Sequence, residues 1–225
     1  MALDRGDIAF GVLPFENSYT GEIAEVLDLL MKYDCHIVQM YNQPVSHNLL
    51  GIKGSKIKDI KEVFSHPQAI SQCQNYLKGL DVTAIPHANT ALAAEYVSQS
   101  GDKQKAAIAS RETADLYGLE ILAEGINTSS ENTTKFIVIS KKPSERGDRF
   151  SLLFTVKHDA GKLAKIMEII ARHKFKMENI RGRALRDVPW QYYFYVEIEG
   201  CLADKRTKHL LKDMEKSCKG LKVLG

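Results

Sequence analysis

The sequence predicts an α/β protein in two parts, and three observations predict it. Over residues 7–140 short apolar runs alternate with segments of helical periodicity, the rhythm of α/β units over a mostly parallel sheet. Residues 141–149, KKPSERGDR, interrupt that rhythm with charge, proline and glycine and read as a linker. Residues 150–225 then run strand, helix, strand, strand, helix, strand, the βαββαβ order of a ferredoxin-like split unit.

Taken in order, IAFGVL is the first strand and EIAEVLDLLMKY the helix after it, with apolar residues three and four apart. CHIVQMY and KEVF are strands, QAISQCQNYL a helix, VTAIP a strand, TALAAEYVSQ a helix, and AAIAS and TTKFIVIS the last two strands of this part. Beyond the linker, FSLLFTVK is a strand, GKLAKIMEIIARH a helix, MENIRGRAL and WQYYFYVEIEG strands, ADKRTKHLLKDMEKSC a helix and LKVLG the closing strand. Neither an internal repeat nor a low-complexity tract is present.

Composition narrows the function classes. The chain has 225 residues, 44% hydrophobic and 26% charged, the balance of a globular protein with a sizeable core. A formal net charge of +3 with interleaved signs gives no basic stripe for nucleic acid, while a small anionic substrate fits. Cys35, Cys73, Cys201 and Cys218 lack CxxC spacing, which argues against a zinc site and for reduced packing thiols. No apolar run approaches the roughly 20 residues of a membrane helix. The first seven residues lack the basic-then-apolar pattern of a signal peptide, so a cytoplasmic protein with no membrane partner is expected.

The candidate chemistry lies where strands end. In GVLPFENSYTGEI, Gly11–Ile23, three polar residues, Glu16, Asn17 and Ser18, follow an apolar strand; ligands of open α/β sheets bind beyond such carboxyl ends. SHPQA, Ser65–Ala69, places Pro67 at the first helical position, where proline costs least. HANTA, His87–Ala91, offers Asn89 or Thr90 as a helix cap. NTTKF, Asn132–Phe136, brings two hydroxyls and a lysine into an apolar strand. Turn formation and capping account for each cluster alone, so the weight rests on their occurring together. Helix N-termini add free N–H groups suited to carboxylates.

LPFENSYTGEI, SHPQAISQC, NTALAAEYV, AAIAS with ADLYGLEILAEGI, and NTTKF, in this order, resemble the catalytic domain of prephenate dehydratase. Residues 150–224, with PWQYYFYVEIEG, resemble its C-terminal ACT regulatory domain. The resemblance implies a two-lobed catalytic domain similar to type II periplasmic binding proteins over residues 1–140, a linker at 141–149 and an ACT domain over 150–225. The activity it implies is a carbon–oxygen lyase reaction, EC 4.2.1.51: prephenate goes to phenylpyruvate, water and carbon dioxide in L-phenylalanine biosynthesis, with no metal or cofactor. Carried over by motif, Thr134 hydrogen-bonds or protonates the departing hydroxyl, Glu16 and Asn17 orient the ring, and Gln68 joins them. Ser18, Ser65, His66, Asn89, Thr90, Thr133, Lys135 and Phe136 form the substrate site. Glu16 and His66 stand as alternative proton sources, and His66 also reads as a hydrogen-bonding element beside a helix cap. Ser18 is a further candidate to cap the helix that follows. Gly161, Leu163 and Arg183 are the expected effector residues for L-phenylalanine, in a homodimer or homotetramer.

Three departures qualify these expectations. Lys135 stands where the family has arginine, replacing a two-pronged carboxylate grip by a point charge, so weaker substrate binding is expected. In place of the family's ESRP the chain has RGRA, Arg181–Ala184, in which Arg183 alone agrees. The family's opening strand and glycine-rich turn, similar to G-P-x-G-S/T, find no match, so a first lobe lacking one wall and a central strand is expected, with exposed edge groups and poor activity or solubility alone. Alternative functions are an arogenate dehydratase, a catalytically inactive amino-acid-binding regulatory fragment, and a part of a longer chain carrying chorismate mutase upstream.

Overall fold

The structure is a computed structural model that describes residues 2–129, 131–144, 146–157, 159–185, 188 and 190–225. Glu145 of the predicted linker, His158 of the HDAGKLAKI turn and Pro189 of PWQYYFYVEIEG lie outside the described residues. In chain order the first elements are α1 (Ala2–Arg5), β1 (Phe10–Asn17), β2 (Gly21–Glu22), α2 (Ala24–Lys32) and β3 (His36–Pro44). There follow β4 (Asn48–Gly51), β5 (Glu62–Ser65), α3 (Pro67–Gln72), α4 (Gln74–Leu77), β6 (Thr83–Pro86), α5 (Thr90–Ser100), β7 (Lys105–Ala109), α6 (Arg111–Tyr117) and β8 (Glu120–Ala123). The chain closes with β9 (Thr133–Ser140), β10 (Arg149–Thr155), α7 (Lys162–Arg172), β11 (Met177–Ala184), β12 (Tyr192–Glu199), α8 (Lys205–Glu215) and β13 (Gly220–Val223).

These elements form two compact units. One holds the residues through Glu16, Gly21–Asn42 and Lys135–Gly225; the other holds Asn17–Thr20 and Gln43–Thr134. Strands β1, β3 and β9 each give residues to both.

In the Gln43–Thr134 unit the sheet order is β6-β5-β7-β4-β8. Strand β5 runs parallel to β6 and β7, whereas β4 is antiparallel to β7 and β8. The sheet is therefore mixed, which corrects the expectation of a mostly parallel one. The cause is β4: its four residues are all buried, so NLLG shows no alternation to mark it as a strand. Alternation along the sheet builds two cores. Leu49, Val63, Ala106 and Ile108 pack with Ala69, Cys73 and Leu77, while Leu50, Phe64, Ala107 and Ala109 pack with Ala93, Ala94 and Val97. The helix expected through QAISQCQNYL breaks in two at Cys73, which leaves helical geometry at φ −107°, ψ 9°. Gly101 ends α5 in the left-handed conformation, φ 66°, that a Cβ disfavours.

The other unit contains two sheets, β2-β1-β9-β3 and β11-β12-β10-β13. The second is antiparallel at all its pairings, with Leu153 opposite Tyr195 and Phe154 opposite Phe194. Its Phe150, Leu152 and Phe154 pack with Ile166, Ile169, Leu210 and Met214 of α7 and α8. The period of two sends Leu153, Tyr193 and Tyr195 to the opposite face, where Phe15, Leu27, Leu30, Ile37 and Ile137 complete a second core.

Among the described residues no helix is long and apolar enough to cross a membrane. Nor does any group of three or more His, Cys, Asp or Glu among them come together to hold a metal ion. Among the described residues no disulfide joins the cysteines, and burial pushes the Cys73 thiol up to about 12, making it an inert packing group.

Candidate functional site

A cavity of about 280 Å³ in the Gln43–Thr134 unit is lined by Asn17, His66, Gln68, Asn89, Thr90 and Thr134. Val45, His47, Ala69 and Gln72 complete its wall. Its polar groups come from the end of β1, the start of β9 and the N-termini of α3 and α5, the four clusters the sequence singled out. The central contact is Asn17 Nδ2 donating to Thr134 Oγ1 at 3.0 Å, which joins residues 117 apart in the chain. Asn17 is 6% exposed, and its Oδ1 accepts from the backbone N–H groups of Tyr19 and Thr20 at 3.0 and 3.1 Å.

The helix starts are built by side-chain caps. His66 is itself the N-cap of α3: its Nδ1 accepts from Gln68 N at 3.2 Å, with Pro67 just inside the helix. Asn89 caps α5, accepting from Leu92 N at 2.7 Å, and Thr90 is the first helical residue. The free N–H groups of that turn and the positive end of the α5 dipole lie where Thr90 lines the cavity. Gln68 Nε2 donates to Thr20 Oγ1 at 3.3 Å, tying α3 to the segment after β1.

Ser65 and Ser18 are bonded to main-chain partners. Ser65 is fully buried and donates to the Ile108 carbonyl at 2.6 Å, fastening β5 to β7; its hydroxyl is not part of the cavity wall. Ser18 does not cap a helix. Its hydroxyl donates to the Glu131 carbonyl and accepts from Thr133 N, both at 3.0 Å, and α2 starts after Ile23 with no side-chain cap. The Thr133 carbonyl accepts from Ser18 N and Asn17 Nδ2, so Thr133 acts through its main chain.

Glu16, Lys135 and Phe136 belong to the other unit. There Arg181 holds the Glu16 carboxylate at 2.6 Å, and Lys135 Nζ lies 3.9 Å from Glu16 and 3.6 Å from Glu197. Glu16 and Lys135 are thus members of an ion-pair network. The strand period turns the adjacent residues Glu16 and Asn17, and likewise Thr134 and Lys135, to opposite faces. Phe136 is half-buried in the same unit.

The expected effector residues have different surroundings. Gly161 caps α7 in the left-handed conformation, φ 77°, and lines a hollow of about 530 Å³ with Lys157, Lys162, Lys165, Lys216 and Lys219. Leu163 packs onto the core between α7, α8 and their sheet. Arg183 is bound to Asp28 at 3.2 Å and Glu22 at 3.3 Å, and Tyr193 shares the Asp28 carboxylate at 2.7 Å.

Sequence reasoning missed three residues that surround Asn17: His47, Gln72 and Asn132. His47 Nε2 meets Gln72 Oε1 at 2.8 Å, Asn132 Nδ2 donates to the same oxygen at 3.1 Å, and Asn17 Nδ2 donates to Asn132 Oδ1 at 2.9 Å. Burial lowers the His47 pKa from its ordinary 6.5, which favours the neutral ring. Asn127 pins this segment by accepting from His47 N at 2.7 Å and donating to the Val45 carbonyl at 2.9 Å. Gln72 and Asn132 stood inside quoted motifs; a buried polar residue within an otherwise apolar run was the available signal.

Residues 1–144 match the family model described as prephenate dehydratase. Over 232 residues the chain is 37% identical to arogenate dehydratase/prephenate dehydratase 1, chloroplastic, of Arabidopsis thaliana, covering 95% of this chain and 59% of that one. The chain spans about three fifths of the length of the curated relatives it matches. Among solved structures, a prephenate dehydratase from Arthrobacter aurescens in complex with L-Phe superposes with a TM-score of 0.90 at 23% identity, over 100% of this chain and 76% of that one. A protein described as GqqA, a novel type of quorum quenching acylase, superposes with a TM-score of 0.89 at 29% identity, over 100% and 83%. Family match and relatives agree: this chain belongs to the prephenate dehydratase family.

Proposed function

We propose that the chain carries out the decarboxylating dehydration of prephenate to phenylpyruvate, in the cavity lined by Asn17, Gln68, Asn89, Thr90 and Thr134. The observation that carries this reading is the Asn17–Thr134 hydrogen bond at the cavity wall, within a chain of this family. Prephenate is a dianion whose ring becomes aromatic as carbon dioxide and the ring hydroxyl leave. The electron pair of the breaking carbon–carboxylate bond enters the ring, and the departing oxygen leaves as hydroxide that becomes water. The free N–H groups at the start of α5 suit a carboxylate. Thr134 Oγ1 accepts from Asn17, so its own proton is left to donate to the departing oxygen. In a preorganised and largely dry site such a donor gains strength that it lacks in water.

Arogenate, with an amine in place of the keto group, is the second reading, because the curated relatives are described as acting on both. Acylase chemistry, the description of one solved relative, is less well served: a threonine nucleophile needs a base accepting its proton, and Asn17 Nδ2 is a donor. Feedback by L-phenylalanine at the Gly161 turn is the regulatory reading that accompanies the first, supported by the complex described for the Arthrobacter relative. Turnover of prephenate and of arogenate by the purified chain, measured side by side as phenylpyruvate and phenylalanine formed, tests the proposal. Thr134→Ala lowers kcat by on the order of a hundredfold with KM little changed. Equal turnover by Thr134→Ala, or no turnover of either substrate by the parent chain, refutes it.

A further inference from the structure

We propose that His47, Gln72 and Asn132 are positioning residues that, acting with Asn17, fix the direction of the Thr134 hydroxyl proton. The inference rests on the dehydratase reading of the cavity for its consequence, though not for its geometry. It begins at the Asn17 amide. Backbone N–H groups can only donate, and those of Tyr19 and Thr20 both point at one atom of that amide, so the atom is the oxygen. Its Nδ2 is then the atom facing Asn132 and Thr134, at 2.9 and 3.0 Å.

Each later assignment follows from the one before. Asn132 must present Oδ1 to Asn17, so its Nδ2 turns to Gln72 and Gln72 must present Oε1. That oxygen also faces His47 Nε2 at 2.8 Å, so His47 must carry its proton on Nε2 and leave Nδ1 bare. Turning any one amide over sets a donor against a donor. Asn17, His47, Gln72 and Asn132 are between 4% and 7% exposed, so bulk water cannot relieve such a clash. At the far end Thr134 Oγ1 can only accept from Asn17, and its proton is left for another acceptor. Two main-chain N–H groups thereby set the polarity of a buried array that runs from an imidazole to the reacting hydroxyl. Gln72 Nε2 is buried without a partner, which leaves the amide held by its oxygen alone.

The tautomer of His47, read by 15N NMR on the full chain with labelled histidine, tests the array without any substrate. The expected result is a neutral ring protonated at Nε2. In Asn132→Asp the new carboxylate can only accept, so Gln72 turns its Nε2 toward it and toward His47, and His47 switches to the Nδ1–H tautomer. Protonation at Nδ1 in the parent chain overturns the proposal, and so does an unchanged tautomer in a folded Asn132→Asp. Should that variant fail to fold, the parent tautomer alone decides. The kinetic arm uses Gln72→Met, expected to lower kcat roughly ten- to a hundredfold with KM little changed. Gln72→Glu, which can accept both bonds when ionised, recovers kcat as pH rises, a new titration that a merely structural role would not create. Parallel losses in both variants with no such pH limb also overturn it. An Nε2–H ring in a chain that turns over neither substrate would leave the array standing and remove the dehydratase reading instead.

Discussion

The residues around Thr134 and those around Lys135 are chain neighbours built on different physics. Around Thr134 the side chains are amides, a hydroxyl and a neutral imidazole, each direction fixed by a donor or acceptor upstream. Around Lys135 they are full charges: Glu16, Arg181, Glu197 and Arg149, with Glu197 only 2% exposed. A neutral array holds a proton in place without a strong field. A charged network resists being opened, because removing one member strands another in low dielectric. The alternation of strand side chains is what lets consecutive residues serve such unlike purposes.

The difference can be broken or sharpened experimentally. Lys135→Met removes one of the cations paired with the Glu197 carboxylate among the described residues, and is expected to cost about 2–3 kcal/mol of stability, read by urea unfolding. If Lys135 instead gripped substrate, KM would rise steeply while stability held. Lys135→Arg sharpens the point: no tightening of prephenate binding is expected, since the position serves the network. Ser65→Ala removes a buried bond to the Ile108 carbonyl and is expected to cost about 1–2 kcal/mol with kcat unchanged. A lower kcat at full stability would return Ser65 to the site. Asn89→Ala, which uncaps α5, is expected to cost about 1 kcal/mol and to raise KM, because the same helix start lines the cavity.

The smallest effect is one of pH. Burial depresses the folded-state pKa of His47 below 6.5, so the unfolded chain binds more protons there and the ring favours folding above that value. This contribution is complete above pH 6.5 and is lost as pH falls through and below it. His47→Gln is expected to flatten that part of the stability–pH curve; an unchanged slope would mean that another group sets it.

Much of the fold was legible because it depends on local periodicity. The apolar spacing of α2, the alternation of β10 and β12 and the cap at Asn89 are short-range patterns that a sequence displays. Strand β4 was not legible, since four buried residues in a row carry no period, and with it went the mixed direction of the sheet. Of the residues lining the cavity, Asn17, Gln68 and Thr134 were legible because their clusters fall at strand ends and helix starts. Ser65 and Ser18 have equally suitable chemistry, and they were spent on main-chain partners 43 and 113 residues away.

By itself, the sequence determined which residue types stand at the ends of which elements, and hence that a hydroxyl, two amides and capped helix starts were available for one site. Only tertiary structure decided which of them face a cavity and which way each amide points. The reason is that hydrogen-bond polarity and charge pairing are settled by partners distant in the chain: Asn17 meets Asn132 and Thr134, and Glu16 meets Arg181, only once the strands are in register.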